Sequence, residues 1–193
     1  MNKLQSIRLL NKFKEIKTNF SGLFEIERIP NGDHRGYLER LFCVNDLLAW
    51  KNRKIIQINR TKTLKRGVIR GLHFQYPPYA ECKYVTCLNG RVFDVVLDLR
   101  CSSATYGQCY KLELDSEKHN ALIIPEGFAH GFQTLTSNVE MLYIHSASYN
   151  PNAESGINAL TEDLNFNWPL VCSNMSERDK TFPKLKNFKG IDL

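Results

Sequence analysis

The chain has 193 residues, 42% hydrophobic and 24% charged, an ordinary globular usage that excludes disorder, collagen and low-complexity repeats. That length suits one domain with a core of useful size. A formal net charge of +6 favours anionic partners, a nucleic acid or a phosphorylated small molecule, over cationic ones.

The N-terminal stretch MNKLQSIRLLNKFKEIK is interrupted by Lys and Arg every few residues, which argues against a signal sequence. No later apolar run approaches a membrane span. Within residues 1–20 the spacing of Ile7, Leu10, Phe13 and Ile16 predicts a short amphipathic helix or a loose arm. Asn31-Gly32-Asp33 predicts a turn, and DLLAWK from Asp46 predicts one or two helical turns. From Lys54 onward short β-rich runs follow one another: KIIQINR, CKYVTCL, RVFDVVLDLR, YKLEL, ALIIP, GFQTL and VEMLYIHSASY. Tyr76-Pro77-Pro78, Asn89-Gly90, Ser102-Ser103 and Glu126-Gly127 supply turns between them. Many short strands without intervening helices predict an all-β sandwich or barrel with short peripheral helices. Beyond Asn150 the chain is turn-rich and then basic. No repeat or linker divides residues 1–193, so a single domain is expected.

Six cysteines (Cys43, Cys82, Cys87, Cys101, Cys109 and Cys172) contain no Cys-x-x-Cys pair, which argues against a zinc ribbon or a disulfide scaffold. Most have aliphatic neighbours and read as buried, reduced thiols of a cytoplasmic protein. No glycine falls in a Gly-x-Gly pair, so neither a dinucleotide fingerprint nor a phosphate loop is present, and no bound nicotinamide cofactor is expected. The basic residues are dispersed, without the interleaved aromatics of a nucleic-acid surface.

Two segments stand out: Arg70-Gly71-Leu72-His73-Phe74-Gln75 and Pro125-Glu126-Gly127-Phe128-Ala129-His130-Gly131-Phe132. The second resembles the Pro-x-Gly-x-x-His element of the cupin superfamily, a jelly-roll barrel with its site in the mouth. Metal-binding cupins carry His-x-His in the earlier element. Here the second histidine position is Gln75, and the ammonium of Lys83 would repel a divalent cation, so the resemblance implies a barrel without a metal. His34, His119 and His145 lie outside both elements and read as ordinary surface or core histidines.

A closer likeness extends from Asp33 to Lys180. DHRGYLER, RGLHFQ, the Lys83 strand, VFDVVLDLR with SSATYG, IPEGFAHGF, LYIHSASYNP and NWP together resemble the dTDP-4-dehydrorhamnose 3,5-epimerase family. Membership implies a cupin jelly roll, a homodimer formed by sheet extension, and no cofactor. It implies inversion of C3, C5 or both in a nucleoside-diphosphate 4-keto-6-deoxyhexose, as in the making of surface-polysaccharide deoxysugars. That reaction needs a base, an acid on the other face of the sugar, and a donor at the enolate oxygen. By resemblance His73 is the base and Asp179 its dyad partner. Tyr143 is the acid, Lys83 the cation at the enolate, and His130 lines the same pocket. Arg35, Glu39, Gln57, Asn59, Arg70, Glu154 and Arg178 would surround the diphosphate and sugar, with Tyr149 stacked on the base.

Simpler readings exist for three of these residues. Lys83 also fits an edge-strand charge, Tyr143 a core-capping phenol, and Asp179 a solvated carboxylate. Ile58 stands where the family commonly has an acid, and Arg178 where a lysine is usual, leaving thymidine-linked and cytidine-linked sugars both open. The competing functions are a non-catalytic sugar-nucleotide binder and a metal-dependent cupin.

Overall fold

The computed structural model describes residues 12–50 and 52–193. Its strands are β1 (Phe13–Lys17), β2 (Phe24–Arg28), β3 (Asn31–Asp33), β4 (Gly36–Leu38), β5 (Gln57–Thr63), β6 (Ile69–Gln75) and β7 (Lys83–Asn89). There follow β8 (Arg91–Asp98), β9 (Cys109–Asp115), β10 (Asn120–Ile124), β11 (Phe128–Thr134), β12 (Val139–His145), β13 (Glu154–Gly156) and the helix α1 (Glu177–Thr181). One antiparallel sheet has the order β1-β2-β10-β7-β12-β5, and a second has the order β13-β6-β11-β8-β9. The two sheets make a jelly-roll barrel of the cupin type.

Apolar residues fill three layers. Val85, Val96, Leu122, Phe132 and Met141 meet between the sheets. The outer face of the five-stranded sheet presents Leu72, Phe74, Val95 and Leu97, which are covered by Ile157, Leu164, Met175 and Ile191 from the chain beyond β13. On the outer face of the six-stranded sheet, Tyr84, Ile123 and Ile144 pack under Leu47, Ala49 and Trp50. Both faces of the central strands are therefore buried, which is why VFDVVLDLR and ALIIP read as nearly continuous apolar runs. Each fully buried Leu, Ile or Phe contributes roughly 1.5–3 kcal/mol of transfer free energy.

Each of the seven β-rich runs from Lys54 onward overlaps a strand, β5 or one of β7 to β12. The region before them differs. Phe13–Lys17 is not helical but an edge strand paired with β2 from Phe13↔Arg28 to Lys17↔Phe24. Phe13 is buried and Ile16 half-buried, and two apolar positions three apart fit a strand as well as a helix. Ile7 and Leu10 lie outside the described residues. Asn31–Asp33 forms β3, so the turn falls two residues later, at His34-Arg35. Within DLLAWK the segment Leu48–Trp50 forms a 3-10 turn.

Of the six cysteines only Cys82 and Cys87 are fully buried, Cys43, Cys109 and Cys172 are half-buried, and Cys101 is exposed. Among the described residues no helix is long and apolar enough to cross a membrane.

Candidate active site

Strand alternation aims a set of polar side chains inward at one end of the barrel, around a cavity of about 650 Å³. The five-stranded sheet contributes His73 and Arg70 from β6 and His130 from β11. The six-stranded sheet contributes Lys83 from β7, Tyr143 and His145 from β12, and Gln57, Asn59 and Thr61 from β5. Tyr149, Glu154, Arg178 and Asp179 complete the lining.

The two conspicuous motifs meet as neighbouring strands. His130 is the cross-strand partner of His73, and the register shifts before Phe132 pairs with Arg70. At that shift the backbones touch. A Cβ on Gly71 (φ +122°) would lie 2.5 Å from Gly131 Cα, and one on Gly131 would lie 2.5 Å from Arg70 O. Both positions therefore require glycine.

His73 Nε2 lies 2.9 Å from Asp179 Oδ1, and Asp179 Oδ2 accepts the Gly71 N–H at 3.2 Å. Asp179 sits in the first turn of α1, where Ser176 caps the helix by accepting the Asp179 N–H at 3.1 Å. Burial opposes charge on Asp179. Hydrogen bonds from His73, Gly71 and Ser176 outweigh it and hold the carboxyl down at about 2. The solvated-tail reading is thus excluded, since Asp179 is 3% exposed. A proton on Nε2 toward Asp179 leaves Nδ1 with the ring's lone pair. Arg178 Nη2 comes within 3.3 Å of the same Nε2, but its firm partner is Glu154 Oε2 at 2.6 Å. Glu154 Oε2 also accepts the Tyr149 hydroxyl at 2.8 Å, which ties the exposed rim tyrosine to the dyad's neighbour.

A second imidazole–carboxylate pair lies deeper. His130 Nε2 is 2.8 Å from Asp94 Oδ2, both groups are buried, and among the described residues Asp94 Oδ1 has no hydrogen-bond partner. The Tyr143 ring meets His130 edge-on at 6.1 Å and stacks on His145 at 6.1 Å and 20°. Burial raises the Tyr143 phenol well above its ordinary value, against the lowering effects of the Thr61 hydroxyl and the Arg70 guanidinium. It therefore carries its proton throughout the physiological range. Lys83 is no edge-strand charge, because β7 runs between β10 and β12. Its ammonium donates to His73 O at 3.2 Å and pairs with Glu81 at 3.1 Å.

Two anticipated contacts are not brought to the cavity within one chain. Arg35, at the tip of the β3–β4 hairpin, is exposed and paired with Asp33 at 2.6 Å. Glu39 binds the buried Arg28 at 2.6 Å and His119 at 2.9 Å on another face. Ile58 is 59% exposed and absent from the cavity lining.

Residue-level reading missed Glu81, Asp94 and His145. Asp94 had a signal, an acid inside the apolar run VFDVVL. His145 passed for an ordinary histidine, yet it lines the cavity. Burial, reinforced by Lys83 and His130 and opposed by Glu81, lowers it to about 4. Gln75, at the lost histidine position, accepts Asn150 N–H at 2.6 Å and donates to Tyr79 O at 3.0 Å, Ser148 O at 3.2 Å and Glu81 at 2.5 Å. It organises protein. Among the described residues no group of three or more His, Cys, Asp or Glu side chains is placed to hold a metal ion.

Known proteins agree with this arrangement along most of the chain. The dTDP-4-dehydrorhamnose 3,5-epimerase of Mycobacterium tuberculosis is 41% identical over 177 residues, 89% of this chain and 87% of that protein. NovW, a 4-keto-6-deoxy sugar epimerase from the novobiocin biosynthetic gene cluster of Streptomyces spheroides, superposes with a TM-score of 0.86 at 32% identity, covering 91% of this chain and 88% of its own. A dTDP-6-deoxy-D-glucose-3,5-epimerase from Legionella pneumophila, solved with dTDP-4-keto-L-rhamnose, gives 0.84 at 33% identity, covering 90% and 93%. The model of the dTDP-4-dehydrorhamnose 3,5-epimerase family matches residues 17–187, from the end of β1 to beyond α1 with its Asp179, and the chain belongs to that family.

Proposed function

We propose that this isomerase inverts C3 and C5 of a dTDP-linked 4-keto-6-deoxyhexose, with residues 1–193 acting as one unit. The observation that carries the reading is the placement of His73 on one sheet, backed by Asp179 of α1, and of the protonated phenol on the other sheet, across the same cavity. Inverting a carbon requires removing a proton from one face of the sugar and delivering one to the opposite face. The C4 ketone acidifies both neighbouring C–H bonds. In our reading His73 takes the proton, and the electron pair moves onto the C4 oxygen. Lys83 donates to that enolate oxygen from a position already fixed in the cavity wall, so the charge is met without reorganisation. Tyr143 then protonates the other face. Exchange with solvent returns one proton to Tyr143 and removes one from His73, so no electrons are gained or lost.

Arg70 and Arg178 suit the diphosphate oxygens, and Tyr149 at the rim, 53% exposed, is free to stack on the base. Tyr37 and Leu38, 61% and 78% exposed, flank Arg35 and Glu39. They support a homodimer in which each hairpin enters the cavity of the other copy. A monomer mass at micromolar concentration would remove that part of the reading. The free thiols Cys43, Cys87, Cys101, Cys109 and Cys172 suit the reducing cytoplasm, where we place the protein.

Solvent deuterium uptake, followed by NMR, tests the reaction. A dTDP-linked 4-keto-6-deoxyhexose should gain deuterium at C3 and C5 and change configuration there. Label at one carbon only would reduce the activity to mono-epimerisation, preference for the CDP-linked sugar would move the base, and no label with either would sink the proposal.

A further inference from the structure

The ammonium of Lys83 is buried at the start of β7, and an ammonium has three N–H donors. One donates to His73 O at 3.2 Å, and the nitrogen forms an ion pair with Glu81 Oε1 at 3.1 Å. Among the described residues no third protein acceptor is found, so the remaining N–H faces the cavity that Lys83 lines. One hydrogen bond and one ion pair thus hold the ammonium at the cavity wall.

Glu81 is itself fixed. Its other oxygen accepts from Gln75 Nε2 at 2.5 Å. The Gln75 amide cannot be turned over, because its oxygen receives the Asn150 N–H at 2.6 Å while its nitrogen also serves Tyr79 O and Ser148 O. Position 81 must therefore present an acceptor to Gln75 and an acceptor to Lys83. A carboxylate does this. A carboxamide offers one acceptor and one donor, so one of the two contacts becomes donor against donor. The other ionisable neighbour, His145, stands 3.9 Å from Glu81 Oε1 and, lowered to about 4, is neutral near pH 7. Glu81 has Lys83 as its cation.

We propose that Glu81 is a positioning residue that acts through Lys83, aiming the free N–H at the oxygen that becomes the enolate. The assignment rests on the epimerase reading of Lys83 given above. It predicts a loss confined to the chemical step, since Glu81 is held by Gln75 and Lys83 rather than presented to the nucleotide.

The test is a double-mutant cycle on the full chain, with Glu81→Gln made alone and in Lys83→Met. Its readouts are deuterium uptake and net epimerisation of the dTDP-linked sugar, dTDP affinity by calorimetry, and thermal midpoint. Glu81→Gln should lower kcat about ten- to hundredfold, the scale of a misplacement near 1 Å. KM and dTDP affinity should stay within about twofold, and in the Lys83→Met background the same change should alter kcat by less than about twofold. A multiplicative loss in both backgrounds, a KM effect with unchanged kcat, or a wild-type Glu81→Gln would overturn the assignment. If Glu81→Gln does not melt cooperatively, Glu81→Asp carries the same cycle, with both oxygens set back by one methylene. A crystal structure of the variant decides without substrate, and so separates this inference from the epimerase reading. Lys83 Nζ displaced by about 1 Å from its contact with His73 O supports it, and an unmoved Nζ refutes it.

Discussion

The two walls of the cavity handle their ionisable groups differently. On the five-stranded side the imidazoles are each backed by a carboxylate, His73 by Asp179 and His130 by Asp94. The six-stranded side carries a phenol kept protonated by burial, an ammonium with its Glu81 partner, and a histidine held neutral. In the proposed reaction one wall accepts protons and the other donates them. A jelly roll makes this simple, because the inner faces of its two sheets can be furnished separately. Within the accepting wall the two pairs also differ. His73 is 26% exposed in its side chain and has a fully bonded carboxylate, whereas His130 is 5% exposed and Asp94 keeps one oxygen unpartnered. In the proposed reaction the open pair serves turnover and the sealed pair holds shape.

The largest expected effect breaks the accepting wall. His73→Ala should lose both deuterium exchange and epimerisation by about 10²–10⁴-fold while folding normally. Exchange at the wild-type rate would mean that another residue is the base. Removing the donor instead, Tyr143→Phe should keep washing solvent deuterium into the sugar while net inversion stalls. Equal loss of both signals would place Tyr143 outside the reprotonation step.

His130→Ala sharpens the contrast between the two pairs. It leaves Asp94 buried without its one partner and should cost about 1–3 kcal/mol in denaturant unfolding, more than His73→Ala does. The smallest effect belongs to Asp179→Asn, which disturbs the base without replacing it. Its activity should fall about tenfold, at the low end of acid–base effects. Its stability carries a pH signature. The carboxyl is lowered from 3.8 to about 2 by folding, so its contribution is present above pH 3.8 and disappears as pH falls through about 2. Wild type should exceed Asp179→Asn by roughly 2 kcal/mol near neutrality, and the two unfolding curves should converge at about pH 2.

Much of this architecture was legible in the residues, and the failures have physical causes. Strands β5 and β7 to β12 announced themselves through β-branched runs between Pro, Gly and Asn turns. β1 did not, because a short edge strand burying mainly Phe13 leaves no alternation to read. In β6 the inward parity changes at Gly71, so RGLHFQ was conspicuous only as a motif. Gly71 and Gly131 follow from the close approach of β6 to β11, where an added Cβ would lie 2.5 Å from the facing backbone, a contact between segments sixty residues apart that periodicity cannot express. Asp179 was found by resemblance alone, because nothing local separates it from the other acids of a polar tail. Glu81 was passed over because its meaning lies in the direction of an amide, that of Gln75, and amide direction is decided by tertiary contacts.

Asp179 meets His73 across 106 residues, carried by the same stretch of chain that supplies Met175 and Ile191 to the outer face of the five-stranded sheet. In kinetic terms that is a high-order contact, formed only after the intervening loop has been closed and the covering layer has settled on the barrel. The strands can pair before it forms. During refolding, the far-UV signal of the sheets should therefore precede the return of epimerisation, and the lag between them measures how long the outer layer takes to dock.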